Sequence, residues 1–138
     1  MNEQNNTNLV QRAYSCFKAG DIKSLLDLMA NDIQWELPKI ENVPFTGSRR
    51  GINSVNEFFT TLAQAQDVIE FSPKEFIAQG NKVIALGYYK WRAKESGLQF
   101  DSEFAHVFTV ENNKVVAFHE YMDTAAFAAA YSKELEHH

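Results

Sequence analysis

Two runs of alternating apolar and polar residues near the carboxyl end of the chain predict a β-hairpin. The runs cover residues 100–110 and 114–123 and are separated by an Asn-rich turn, which is the arrangement typical of two adjacent antiparallel strands. One face of this hairpin gathers Phe100, Phe104, His106, Phe108 and Val110 from the first run, and Val116, Phe118, Glu120 and Met122 from the second. Each run is therefore apolar on this face except for one titratable residue.

The length of the turn decides whether those two titratable residues meet. A two-residue turn at Asn112-Asn113 would set His106 opposite His119 and would join unlike faces of the two strands. A three-residue loop over residues 112–114 would instead set His106 opposite Glu120. The hydrophobic pattern favours the three-residue loop, because a slip of one residue turns every side chain to the other face. We therefore predict a cross-strand pair of His106 and Glu120 inside an apolar surface.

The first half of the chain carries the periodicity of helices. From residue 8 the pattern is helical, with apolar side chains at i, i+3, i+4 and i+7. Gly20 ends this helix, and a second helix is predicted over residues 22–29. A third helix is predicted over residues 52–66, and the irregular segment 39–51 before it is predicted to be a loop.

The remaining segments read as strands. A short strand is predicted over residues 32–37, and the segment 67–78 is an edge or bulged strand because Pro73 interrupts it. Residues 82–93 are apolar on both faces, as expected of a central strand, and residues 124–133 form a terminal helix. The resulting order predicts an α+β domain, in which a cone-shaped, curved antiparallel sheet packs on three helices and a short C-terminal helix follows.

Composition narrows the classes of function. The chain of 138 residues has a formal net charge of −5, which argues against nucleic acid as a partner. It has one cysteine and no Cys/His cluster with zinc spacing, and we expect neither a metal nor a cofactor. No signal peptide or long apolar run is present, so we expect a cytoplasmic protein with no membrane partner. Residues 1–134 are assigned to one domain, and residues 135–138 (Leu-Glu-His-His) to the remnant of an expression tag.

Several motifs resemble the SnoaL-like, ketosteroid-isomerase-related branch of the nuclear transport factor 2-like superfamily. They are the Gly-Asp turn at residues 20–21, the D-x-x-W-E-x-P motif at residues 32–38, and the hairpin sequence H-V-F…H-E-Y-x-D-T. The similarity runs from about Leu9 to Tyr131. It implies a cone of bent sheet on three helices, in agreement with the pattern above, and a homodimer formed through the outer face of the sheet. Because members include enzymes and non-catalytic binding modules, the fold does not settle the function.

The resemblance also implies roles for particular residues. SnoaL-type cyclases carry a His and an Asp at the spacing of His106 and Glu120, so Glu stands here for Asp. In steroid isomerases the position of His106 is an acid that donates to the developing oxyanion, and the general base would fall near Leu37, which cannot take a proton. The isomerase tyrosine would fall near Ala13, one place from Tyr14, and we do not equate the two. A classical steroid isomerase is therefore not expected.

Two functions remain open at this point. The first is a cofactor-free isomerase, cyclase or dehydratase in which Glu120 removes a proton next to a carbonyl and His106 donates to the oxygen. The second is a non-catalytic ligand-binding or dimerisation module, in which the pair could simply tie two strands together. In both, the ligand is expected to be a small apolar or aromatic molecule. Its predicted contacts are Tyr14, Phe17, Trp35, Leu37, Phe59, Phe104, Phe108, Phe118 and Met122.

Overall fold

The computed structural model describes residues 2–132 and contains four helices and six strands in that part of the chain. The helices are α1 (Glu3–Lys18), α2 (Ile22–Asp27), α3 (Ile52–Ala65) and α4 (Thr124–Ala130). The strands are β1 (Met29–Leu37), β2 (Gly47–Arg50), β3 (Gln66–Gln79), β4 (Lys82–Ala93), β5 (Gln99–Glu111) and β6 (Lys114–Met122). The predicted tag remnant and Lys133 lie outside the described residues.

The strands form one curled sheet in the order β2-β1-β6-β5-β4-β3. The predicted α+β class, with helices on a curved sheet and a short terminal helix, is confirmed. Neighbouring strands are antiparallel with one exception, because β1 and β6 pair in parallel. Local patterns could not reveal this pairing, since it joins segments from opposite ends of the chain.

The helix boundaries shift where a cap or a strand intervenes. Helix α1 begins at Glu3, earlier than predicted, because the side chain of Asn2 accepts hydrogen bonds from two backbone N–H groups of the first turn. It ends before Gly20, which has the predicted left-handed conformation with φ of 75°. Helix α2 ends at Asp27 rather than at Met29, because Met29 already belongs to β1.

Strand β2 was not predicted, because it lies in the segment that the sequence assigns to a loop. Its four residues carry no apolar alternation (Gly-Ser-Arg-Arg), yet they pair with β1 from Gln34 to Leu37. Strand β4 has the predicted bounds, and β3 is an edge strand with irregular pairing around Pro73. Opposite Pro73 lies Gly87, where a Cβ atom would come within 2.5 Å of the Ser72 carbonyl oxygen, so only glycine permits this close approach.

The hairpin turn between β5 and β6 is shorter than predicted. Asn112 and Asn113 form it alone, with φ of 52° and 61°, and Glu111 pairs with Lys114 across it. Two consecutive residues with positive φ match the right-handed twist of the strands, and asparagine tolerates that conformation. The predicted three-residue loop is therefore wrong.

A β-bulge in β6 nevertheless restores the predicted register beyond the turn. Val110 pairs with Val115, whereas Thr109 pairs with Ala117. Val116 is thus an extra residue on β6, as in a β-bulge. Val115 takes the buried position that the sequence pattern assigned to Val116, which is only half-buried.

The helices and the concave face of the sheet enclose one aromatic-rich core. Helix α1 contributes Tyr14, α3 contributes Phe59 and the terminal helix contributes Phe127, and all three side chains are buried. No helix within residues 2–132 is long and apolar enough to cross a membrane.

Candidate functional site

His106 on β5 and Glu120 on β6 lie directly opposite each other, in the predicted register. Both are buried, with 5% and 7% of their surface exposed. The Nε2 atom of His106 lies 3.5 Å from Oε1 of Glu120. This distance gives an electrostatic contact but is too long for a good hydrogen bond, so Nε2 has no hydrogen-bond partner among the described residues.

Tyr14 holds the other nitrogen of the imidazole. It extends from the buried stripe of α1, and its hydroxyl oxygen lies 2.6 Å from Nδ1 of His106. Burial, and then the charge of Glu120, raise the pKa of Tyr14, so the phenol keeps its proton and donates to Nδ1. In the neutral imidazole the ring proton then lies on Nε2, which faces Glu120. This tautomer is assigned from the hydrogen-bond network.

Tyr89 on β4 holds the second oxygen of the carboxylate. Its hydroxyl donates to Oε2 of Glu120. Burial, followed by the charge of Glu120, raises the pKa of Tyr89 as well. The polar contacts thus link four buried side chains in a row, which we call the polar chain: Tyr14, His106, Glu120 and Tyr89.

The polar chain lies in the wall of an apolar cavity. The space that the centre of a water molecule can occupy in the cavity is about 80 Å³. One water needs roughly 10–15 Å³ of such space. The cavity therefore has room for several waters or for a small organic molecule. Its wall includes most of the predicted contacts: Tyr14, Phe17, Trp35, Leu37, Phe59, Phe108 and Phe118, besides His106 and Glu120.

Two predicted contacts lie outside this wall. Phe104 stacks on the ring of His106, with 4.1 Å between centroids, and so helps to fix the orientation of the imidazole. Met122 pairs with Phe104 at the end of the hairpin and is half-buried. Both were expected to line the cavity, but Phe104 stacks on His106 instead and Met122 lies at the end of β6.

The sequence did not single out Tyr89, Trp91 or Phe58, which also line the cavity. Strand β4 is apolar on both faces, so its pattern does not say which of Tyr88 and Tyr89 points inward. In the structure Tyr89 is buried with Trp91, two places along the strand, while Tyr88 bonds Asp101 on the exposed face. Residues two positions apart lie on the same face of a strand. The spacing of Tyr89 and Trp91 could therefore have indicated that both point the same way.

Within residues 2–132 no group of three or more His, Cys, Asp or Glu side chains is placed to hold a metal ion. The polar chain supplies one imidazole, one carboxylate and two phenols. This set can donate hydrogen bonds and exchange protons.

Known proteins share this architecture over nearly the whole chain. The family model described as a SnoaL-like domain matches residues 10–118. A nuclear transport factor 2-like protein from Burkholderia xenovorans LB400 is 30% identical, with 96% of this chain and 99% of that chain covered and a TM-score of 0.87. A nuclear transport factor 2-like protein of unknown function from Burkholderia pseudomallei K96243 is 26% identical, with coverages of 93% and 98% and a TM-score of 0.83.

A more distant structure also shares this fold. A candidate isomerase from Bacillus subtilis is 18% identical, with 95% of this chain and 96% of that chain covered and a TM-score of 0.80. At this identity the likeness concerns the fold. No curated protein matches the chain.

Proposed function

This chain belongs to the SnoaL-like family, and from that premise we propose that it is a cofactor-independent enzyme that moves a proton on a small carbonyl compound. The observation that carries the proposal is the buried pair of His106 and Glu120 in the wall of an apolar cavity. A carboxylate and a hydrogen-bond donor, side by side and shielded from water, are the two groups that enolisation requires.

Glu120 is the general base in this proposal. Its carboxylate takes a proton from the carbon next to the carbonyl, and the electrons of that C–H bond move toward the carbonyl oxygen to give an enolate. The Nε2–H group of His106, which has no hydrogen-bond partner among the described residues, donates a hydrogen bond to that oxygen. In an isomerisation the protonated Glu120 then returns the proton to a different carbon, so the base is regenerated.

The two tyrosines position this pair. Tyr14 donates to Nδ1, which keeps the ring proton of His106 on Nε2, where it can reach the substrate. Tyr89 donates to Oε2 of Glu120 and leaves Oε1 as the oxygen nearer to the imidazole. Such preorganised dipoles are effective in a site of low polarity, because they need no rearrangement as charge develops.

A structure with the same fold suggests which reaction to test first. The structure from Bacillus subtilis with the same fold is a candidate isomerase. That likeness makes an isomerase-type reaction a reasonable first test for this chain.

The test is the exchange of protons in heavy water, which needs no knowledge of the natural substrate. The ketone α-tetralone has enolisable protons, and NMR follows their replacement by deuterium. We expect the wild type to catalyse this exchange and Glu120→Gln to lose a factor of about 100 or more, as is typical when a general base is removed. Gln keeps the shape of the side chain and can still accept from Tyr89.

A matched control and a contrary outcome complete this experiment. Glu103→Gln removes a carboxylate from the exposed face of the same hairpin and should leave the exchange rate unchanged. If Glu120→Gln exchanges as fast as the wild type, Glu120 is not the base.

The second candidate function is a non-catalytic ligand-binding module that uses the same cavity. The observation that favours it is that both oxygens of Glu120 already face partners, Nε2 of His106 and the hydroxyl of Tyr89. For such a module, wild type and Glu120→Gln should bind α-tetralone with similar affinity, and neither should exchange its protons.

A further inference from the structure

Two tryptophans in the cavity wall carry buried N–H groups without a hydrogen-bond partner. Trp35 on β1 and Trp91 on β4 are 4% and 5% exposed, and both line the cavity. Neither Nε1 atom has an acceptor among the described residues. Folded proteins rarely leave such donors unpaired, because a buried N–H without an acceptor loses its hydrogen bond to water and gains nothing in return.

The two indoles lie near different members of the polar chain. Trp35 stacks on Phe118 with 3.9 Å between ring centroids, and Phe118 in turn contacts His106 at 4.9 Å. Trp91 packs edge-on against Tyr89 at 5.7 Å, and Tyr89 bonds Glu120. The unpartnered N–H groups therefore belong to side chains that flank the proposed reacting pair.

The charge of the cavity limits the ligand further. No Lys or Arg among the described residues lines it, and Glu120 is its only carboxylate. An anionic ligand would be buried beside Glu120 without a cation to offset either charge, which is strongly unfavourable. A neutral ligand does not face this cost.

We infer that the cavity takes a neutral, mainly aromatic ligand with at least one oxygen acceptor, which is bound by the indole N–H groups of Trp35 and Trp91. The rings that line the wall supply the apolar contact, and the indoles supply the polar recognition that aromatic packing alone lacks. This deepens the proposed function by naming the class of its substrate. It rests on that function only in taking this cavity as the substrate site.

The experiment compares three bicyclic compounds of similar size by calorimetry. These are α-tetralone, which is neutral and has a carbonyl, tetralin, which has no oxygen, and α-naphthoate, which is an anion. We expect α-tetralone to bind at least about 3–10 times more tightly than tetralin, the gain typical of one satisfied hydrogen bond. We expect α-naphthoate to bind more weakly than both.

Variants then assign the recognition to the indoles. Trp35 and Trp91 are the only tryptophans in the chain, so all tryptophans can be replaced biosynthetically by β-(3-benzothienyl)alanine, which keeps the ring shape and lacks the N–H. This protein should show a smaller preference for α-tetralone over tetralin, and the hydrogen bond from His106 accounts for the part that remains. Trp35→Phe and Trp91→Phe separate the two sites, and the remaining tryptophan reports ligand binding by fluorescence.

Each outcome decides the inference. Equal affinity for α-tetralone and tetralin, tight binding of α-naphthoate, no binding of any of the three, or an unchanged preference in the benzothienyl protein would overturn it. These are equilibrium measurements that do not depend on turnover. A failure of the Glu120→Gln exchange test would thus overturn the catalytic proposal and leave this inference standing. An unchanged preference in the benzothienyl protein would overturn this inference and leave the catalytic proposal standing.

Discussion

Glu120 pairs directly with His106 across β5 and β6, although the pairs nearest the turn are in a register one residue different. The pairs nearest the turn follow a two-residue connection, which continued along the hairpin would set His119 against His106. The extra residue Val116 corrects the register by one place between Val110 and Thr109. In this sequence the bulge at Val116 therefore sets the pairing of His106 with Glu120.

Deletion of Val116 should remove the bulge and keep the pair of His106 and Glu120. Without Val116, Ala117 follows Val115 directly and still pairs with Thr109, so the regular register of the two-residue turn sets Glu120 opposite His106. We expect the free energy of unfolding to fall by no more than about 1–2 kcal/mol, because no buried charge loses its partner. Urea denaturation followed by circular dichroism measures this change.

Val116→Ala is the matched control for that deletion. It keeps the bulge and removes only part of a half-buried side chain, so we expect a loss of about 1 kcal/mol. A deletion variant less stable than Val116→Ala by more than about 3 kcal/mol would show that the pair of His106 and Glu120 depends on the bulge itself.

Tyr89→Phe should weaken both stability and catalysis. The change leaves Oε2 of Glu120 buried without its donor, which costs about 1–3 kcal/mol. Because Glu120 also loses an orienting contact, we expect a lower rate of α-tetralone exchange with little change in binding. Urea denaturation and the NMR exchange assay give the two values.

The neighbouring tyrosine provides the control for this variant. Tyr88 donates to Asp101 on the exposed face, so Tyr88→Phe should alter stability by no more than about 0.5 kcal/mol. Equal effects of the two substitutions would argue against a special role for Tyr89.

Alkaline pH should destabilise the protein through Tyr14 and Tyr89. Burial, and then Glu120, raise the pKa of each phenol in the folded state, whereas in the unfolded chain tyrosine ionises near pH 10. Below about pH 10 both states keep these protons. Above it the unfolded chain releases them and the folded chain does not, so stability falls by about 1.4 kcal/mol per pH unit for each tyrosine.

Urea denaturation from pH 9 to pH 11 tests this, because Tyr89→Phe should show a shallower loss of stability than the wild type over about that range. Phenolate absorbance provides a second measure, since the folded protein should titrate at higher pH than the urea-unfolded chain. Identical slopes for the variant and the wild type would contradict the assignment of Tyr89.

The outer face of the sheet leads to a proposal about assembly. On the side opposite to the polar chain, Ile84, Val107 and His119 lie in register on three adjacent strands, and Tyr121 is 51% exposed and stacks on His119. We propose that a second copy of the chain covers this face. Val107→Lys should then convert a dimer into a monomer, as measured by light scattering during size-exclusion chromatography.

Leu98→Lys is the control for this proposal. Leu98 is 41% exposed in the connection between β4 and β5, away from the proposed interface, so its replacement should leave the dimer intact. A wild-type protein that stays monomeric at high concentration would rule out the dimer.

The sequence by itself determined the class of the fold and the inward face of the hairpin. Helix and strand periodicities are local properties, so they located α1, α3 and β4 and placed His106 and Glu120 among apolar neighbours. The pair could be predicted because a one-residue slip would have exposed Phe108 and Phe118, and the hydrophobic effect opposes that slip.

Only the tertiary structure decided how that pair is completed. Tyr14 is separated from His106 by 92 positions and Tyr89 from Glu120 by 31, and no local pattern links residues so far apart. The parallel contact of β1 with β6 and the bulge at Val116 depend likewise on non-local pairing. Such contacts form only in the folded protein, where buried polar groups need hydrogen-bond partners. This need determined the contacts of Tyr14 and Tyr89 with the pair.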